Sequence, residues 1–204
     1  INTPLAVLHG SIEKLLETAP NQSTANRLSR MRKMTERLRN ISSTLLDFAR
    51  PRPPKLEPVE IRAVIDESWE LGEAAETTAA AQLKFRNSTS PDALVTGDAD
   101  RLVQVFVNVI RNSVNALQPG GAIEVKSARC QSNGASWILV RVEDNGKGIP
   151  AEVLPGICEA FVSTRLDAKG TGLGLTVAKG IVEQHGGVIA ASNRVEGGAC
   201  VEVR

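Results

Sequence analysis

Four prolines within eight residues, Pro51, Pro53, Pro54 and Pro58, cut this chain in two. Proline lacks an amide hydrogen, fixes its own φ and pushes the residue before it toward extended backbone, so no helix runs through such a stretch. A length of 204 residues allows one domain or two. The charge changes at the same place. Residues 1–57 carry ten basic and five acidic side chains, a net of +5, and the remainder fourteen and eighteen, a net of −4. The expected organisation is a first domain over 1–50, a linker over 51–58 and a second domain over 59–204. The overall charge of +1 argues against a nucleic-acid binder. No run of about 18 apolar residues occurs, so any membrane attachment is expected through segments outside this chain, which would itself be cytoplasmic. Cys130, Cys158 and Cys200 form no CxxC pair, and with only His9 and His185 no zinc site is expected.

Before the prolines, Ile1, Leu5, Leu8, Ile12 and Leu15 recur at steps of four and three. Leu28, Met31, Met34, Leu38, Ile41, Leu45 and Phe48 do the same. Both are helix seams close to the heptad period. Thr18–Ser23 between them is turn chemistry, with Asn21 or Ser23 suited to cap the second helix. Two helices leave half of each seam wet; a second copy of the hairpin would complete a four-helix bundle, and the alternative, packing on the downstream domain, is opposed by the proline linker, so a homodimer is expected. Arg27, Arg30, Arg32, Lys33, Arg37 and Arg39 on the second helix suit either a solvated face or the docking of an acidic partner.

After the prolines, the pattern predicts a helix over 61–79, strands at 82–87 and 93–96, and a long helix over 98–117. Strands follow at 122–128 and 137–143, then a helix over 171–184 and strands at 188–191 and 199–203. Long helices mixed with hairpins indicate an α+β two-layer sandwich.

Three local patterns in this domain suit chemistry. Asp144-Asn145-Gly146-Lys147-Gly148-Ile149 ends a strand. Its glycines permit a tight turn and close approach to a flat ligand, and a carboxylate there can accept from an exocyclic amine. Alone, such a run is also an ordinary hairpin turn. Gly170-Thr171-Gly172-Leu173-Gly174-Leu175 opens a helix, where free N–H groups suit phosphate oxygens. It is neither GxGxxG nor a Walker loop. Asn108 and Asn112 lie four apart on one helical face, where amide oxygens suit a hard cation such as Mg²⁺ or simply face water.

In this order and spacing, the three patterns resemble those of sensor histidine kinases. Arg101–Ser113 resembles the N box, Asp144–Ile149 the G1 box, Glu159–Arg165 the F box and Gly170–Leu175 the G2 box. His185-Gly186-Gly187 is similar to the family's turn after the last helix. Ile1-Asn2-Thr3-Pro4-Leu5 resembles the tail of the H box, and the hairpin resembles the family's dimerisation and histidine-phosphotransfer domain. The resemblance implies an Mg-ATP-dependent kinase that phosphorylates a histidine two residues before Ile1 and passes the phosphoryl group to an aspartate on a response regulator receiver domain. A superfamily ATPase and a non-catalytic docking module are the alternatives.

The resemblance also implies roles. Asn112 would ligate Mg²⁺, and Asn108 would support metal and phosphates as a catalytic residue. Asp144 would bind the adenine amine, framed by Gly146 and Gly148. Gly170, Thr171, Gly172, Leu173 and Gly174 would face the phosphates at the hinge of a lid spanning 150–169, and Arg165 would approach them. The ATPase members carry a glutamate at position 108 that activates water; asparagine cannot serve as that base, which favours a kinase. Thr3 would orient water in dephosphorylating the regulator. His9, ten residues past the expected acceptor, is misplaced for that role. The family's F box opens with phenylalanine where Cys158 stands, a departure that bears on lid packing.

Overall fold

The computed structural model describes residues 2–18, 20–49, 53–74, 83–132, 134–162 and 172–204. It divides into two compact units, Ile1–Arg52 and Pro53–Arg204.

The first unit is a helical hairpin of α1 (Asn2–Glu17) and α2 (Gln22–Ala49). Asn21 caps α2, its Oδ1 accepting from the Thr24 N–H at 2.9 Å. That satisfies one of the donors a helix start leaves without a partner. Ile12 and Thr35 are buried between the helices, and the Thr35 hydroxyl donates back to the Met31 and Arg32 carbonyls. Elsewhere on the seam Leu5 and Leu28 are half-buried, while Leu8, Leu15, Met31, Met34 and Leu38 are exposed within this single chain. His9 is held beside two carboxylates, its Nε2 3.4 Å from Glu13 and 3.9 Å from Glu36.

The second unit is built from β1 (Glu57–Glu60), α3 (Ile61–Ala74), β2 (Lys84–Ser88), β3 (Leu94–Gly97), α4 (Ala99–Ala116), β4 (Ala122–Ser132), β5 (Ala135–Asp144), α5 (Gly174–Gln184), β6 (Ile189–Asn193) and β7 (Ala199–Val203). Five strands form one sheet in the order β2-β4-β5-β7-β6; β2 runs parallel to β4 and the other pairs are antiparallel. β1 and β3 form a separate antiparallel ribbon. Pro58 pairs within it opposite Thr96. An edge strand tolerates a proline, so residues 57 and 58, read from sequence as linker, carry strand structure. Helix α3 is described to Ala74, and residues 75–82, including the rest of the expected helix over 61–79, lie outside the described residues.

Helices α3, α4 and α5 share one core with the inner face of the sheet. Leu102, Val105, Phe106, Val109 and Ile110 of α4 meet Ile123, Val125, Val140 and Val142 there. The α4 apolar stripe follows the 3.6-residue period and the strand positions alternate, so each element buries one face. Phe106 is only 1% exposed, and a fully buried side chain of that kind contributes about 1.5–3 kcal/mol. The sequence predicts this two-layer α+β sandwich, and the structure has it. No helix among the described residues is long and apolar enough to cross a membrane.

Candidate functional site

Helix α4 sets the frame because its start is pinned from three directions. Asp98 caps it, Oδ1 accepting from the Arg101 N–H at 3.3 Å. The other oxygen, Oδ2, accepts from the Lys55 N–H at 2.9 Å, which fastens the end of the proline stretch. The Asp98 N–H donates to His185 Nε2 at 3.0 Å, and His185 Nδ1 lies 2.8 Å from the Ile181 carbonyl oxygen. These two bonds fix the neutral tautomer with hydrogen on Nδ1 and tie the end of α5 to the start of α4. The Lys55 bond first, then Arg101, hold the Asp98 carboxyl below its usual range.

With its core stripe buried, α4 leaves the Gln104, Asn108, Asn112 row toward the surface. Asn112 is exposed and Asn108 half-buried. Two loops meet this helix. At its C-terminal end, the Lys147 N–H donates to the Ala116 carbonyl at 3.4 Å. A Cβ on Gly146 would lie 2.7 Å from that carbonyl oxygen, so only glycine lets the turn sit this close. One turn above Asn112, the start of α5 packs on Asn108: a Cβ on Gly174 would lie 3.5 Å from Asn108 Oδ1. The structure therefore brings the Asp144–Ile149 turn, Asn108 and Asn112, and the opening of α5 onto one helix.

Asp144 ends β5 and is 3% exposed. Its Oδ1 accepts from the Gly146 N–H at 2.9 Å and the Ala199 N–H at 3.1 Å. Among the described residues Oδ2 receives no hydrogen bond, which leaves an acceptor at the bottom of the turn. A buried carboxylate normally finds partners for both oxygens. Here the second oxygen is left open to water or to a donor from a ligand.

At the head of α5, Leu173 is buried and occupies the cap position, and its side chain makes no capping hydrogen bond. Gly172, at φ +66°, accepts from the Phe161 N–H at 3.0 Å. Phe161 itself takes a φ of +67° and is exposed. A Cβ on Gly172 would lie 2.7 Å from the Phe161 carbonyl carbon. The described residues flanking 163–171 thus meet at one backbone contact. Arg165, Gly170 and Thr171 lie outside the described residues, as does the Thr3 side chain. Cys158 packs half-buried against the core, and burial pushes its thiol up, as expected for a packing group rather than a reactive one.

The donor set suits an adenine nucleotide with Mg²⁺. Amide oxygens on Asn108 and Asn112 are hard neutral ligands that leave room for waters and phosphates, as Mg²⁺ requires. Among the described residues no cluster of three His, Cys, Asp or Glu side chains could hold a metal ion. Sequence reasoning missed Arg194, Gly198 and Ala199, which meet Asp144 from the β6–β7 turn, and Asn193, which holds Ile149 at the other end of the 144–149 turn. The only local signal was the Gly197-Gly198 pair before β7.

The chain is similar to known proteins over both of its units. Residues 97–204 match the family model described as "Histidine kinase-, DNA gyrase B-, and HSP90-like ATPase". Residues 1–54 match that of the "His Kinase A (phospho-acceptor) domain". The sensor histidine kinase ZraS of Escherichia coli K12 is 34% identical over 95% of this chain, which spans 40% of that protein. The structure of the mycobacterial sensor histidine kinase MprB superposes with a TM-score of 0.62 at 26% identity, covering 72% of this chain and 95% of that one. Full-length ShkA in complex with AMPPNP shares the fold over 99% of this chain and 42% of its own, with a TM-score of 0.78 at 23% identity. The chain spans about two fifths of the length of the first curated relatives it matches.

Proposed function

We propose, from the premise that this chain belongs to the histidine kinase family, that it is the catalytic core of a two-component sensor kinase. The observation that carries this reading is the convergence on α4 of a buried carboxylate, two amides one turn apart, and the glycine-opened start of α5.

ATP would lie along α4. Asp144 Oδ2 would accept from the adenine amine, with Gly146 and Gly148 letting the backbone approach the base. The backbone N–H groups opening α5 would face the phosphates, where a helix start favours negative charge. Asn112, supported by Asn108, would hold Mg²⁺. When bound, that ion supplies positive charge that offsets the charge on the phosphate oxygens.

The reaction exchanges one phosphorus bond for another. An imidazole nitrogen attacks the γ-phosphorus, the bond to the β-bridging oxygen breaks, and ADP leaves. The phosphoryl group then passes from nitrogen to an aspartate oxygen of a receiver domain. Asparagine at 108 provides no carboxylate to activate water, which suits a site that holds ATP until the imidazole arrives. The acceptor would be a histidine two residues before Ile1. Thr3, in the first turn of α1, would orient water for dephosphorylation of the regulator; Thr3→Ala should then keep the kinase step and lose regulator dephosphorylation. The exposed apolar stripe of Leu8, Leu15, Met31, Met34 and Leu38 supports a homodimer closing a four-helix bundle.

The test uses a chain extended upstream of Ile1, incubated with γ-labelled ATP and Mg²⁺. Acid-labile, base-stable label that disappears when the upstream histidine is replaced is the expected result. Steady release of labelled phosphate with no label on the protein would instead identify an ATPase.

A further inference from the structure

The turn that carries Asp144 is gripped at both ends by two adjacent side chains outside every motif described so far. Asn193, the last residue of β6, engages both backbone polar groups of one residue. Its Nδ2 donates to the Ile149 carbonyl at 2.7 Å, and its Oδ1 accepts from the Ile149 N–H at 2.7 Å. At the other end, Arg194 Nη1 donates to the Asp144 carbonyl at 2.9 Å. The guanidinium is itself steadied by Glu196, with Nη2 3.4 Å from Oε2. The same β6–β7 turn supplies the Ala199 N–H to Asp144 Oδ1.

The fit is close. Gly148 has φ +73°, and a Cβ there would lie 2.9 Å from Asn193 Oδ1. The glycine therefore serves the approach of Asn193 as well as that of a ligand. Asn193 is the only amide in the 193–198 turn, and Arg194 its only cation.

We propose that Asn193 and Arg194 are positioning residues for the nucleotide base. Neither touches ATP. They fix the two ends of the 144–149 turn, and so set where the open Asp144 oxygen points and how well the site takes adenine. The inference rests on the ATP-binding reading above and assigns to that site a base-positioning pair.

The consequence is specific to one part of the ligand. A loosened turn weakens whatever contacts the base and leaves the phosphate contacts at the start of α5 and on Asn112 intact. With both Asn193 bonds lost in Asn193→Ala, the turn must be reordered each time the base binds, and affinity should fall about tenfold. That loss should be the same for Mg-ATP, ADP and adenosine. Asn112→Ala should behave oppositely, weakening Mg-ATP and sparing adenosine. Asn193→Asp is nearly isosteric but cannot donate to the Ile149 carbonyl. It should lose base affinity as Asn193→Ala does, although the turn keeps its bulk.

The experiment is calorimetric titration of the native chain and these three variants with Mg-ATP, ADP and adenosine, with circular dichroism confirming the folded state of each. A uniform loss across the three ligands in both Asn193 variants, with Asn112→Ala sparing adenosine, is expected. Native affinity for adenosine in either folded Asn193 variant, or a loss confined to ATP, overturns the positioning role. A native chain that binds none of the three ligands overturns the ATP-binding reading itself, and the positioning role with it.

Discussion

Gly197 and Gly198 are neighbours with nearly the same backbone conformation, φ +93° and +88°, yet substitution at the two should have very different consequences. At both, an alanine incurs the strain of a positive φ, roughly 1–2 kcal/mol. At Gly197 nothing lies within 4 Å of the added Cβ, so that strain is the whole effect. At Gly198 the Cβ would sit 2.0 Å from the Asp144 carbonyl oxygen and 2.7 Å from its carbon. Backbone cannot yield there without displacing the end of β5. The displacement breaks the Ala199 bond to Asp144 Oδ1, the Arg194 bond to the Asp144 carbonyl and the Arg194–Gly198 backbone bond. Three such bonds at about 0.5–1.5 kcal/mol each bring the total for Gly198→Ala to roughly 3–6 kcal/mol. For a chain of this size, about 1 kcal/mol moves Tm by about 2–4 °C. Thermal unfolding should therefore shift by a few degrees for Gly197→Ala and by roughly 10 °C or more for Gly198→Ala. Only Gly198→Ala should also lose adenosine affinity. Equal shifts in the two variants would refute the claim that the β6–β7 turn is built around the Asp144 backbone.

Other expectations follow from individual contacts. Asp98 has its folded pKa depressed, so its contribution to stability is complete above the ordinary carboxylate value and is lost as pH falls through the lower folded value. Asp98→Asn should flatten the acid limb of a plot of urea midpoint against pH below about pH 4, while an unchanged limb would remove Asp98 from the account. Met34→Glu, in the exposed stripe of the hairpin, should convert a dimer to a monomer in light scattering and leave adenosine affinity unchanged. Cys158, whose thiol burial pushes up, should react with iodoacetamide at pH 7.5 more slowly than free cysteine. Fast alkylation would show it to be open to solvent.

Much of this could be read from sequence where the signal is local. The α4 stripe of Leu102, Val105, Phe106, Val109 and Ile110 repeats at helical spacing, and Asp98 stands where a cap belongs. Strand β7 appears at the predicted residues, 199–203. The motif residues were legible because each cluster lies within a few positions. What escaped was set by distant partners. β1 is concealed by Pro58, which a paired edge tolerates. The β4–β5 hairpin runs on to Ser132 and back from Ala135, beyond the predicted 128 and 137, where the apolar alternation has faded but backbone pairing has not. Asn193 and Arg194 act on residues 44 and 50 positions away, so no window of sequence shows what they hold.

The central claim is that one helix, α4, gathers the adenine, metal and phosphate contacts of a single ATP site. It is tested most directly by a crystal structure of this chain with Mg²⁺ and a non-hydrolysable ATP analogue. The account predicts the adenine amine on Asp144 Oδ2, the metal on the Asn112 amide oxygen and the phosphates at the start of α5. A nucleotide bound with its base away from Asp144, or with its metal away from Asn112, would contradict it.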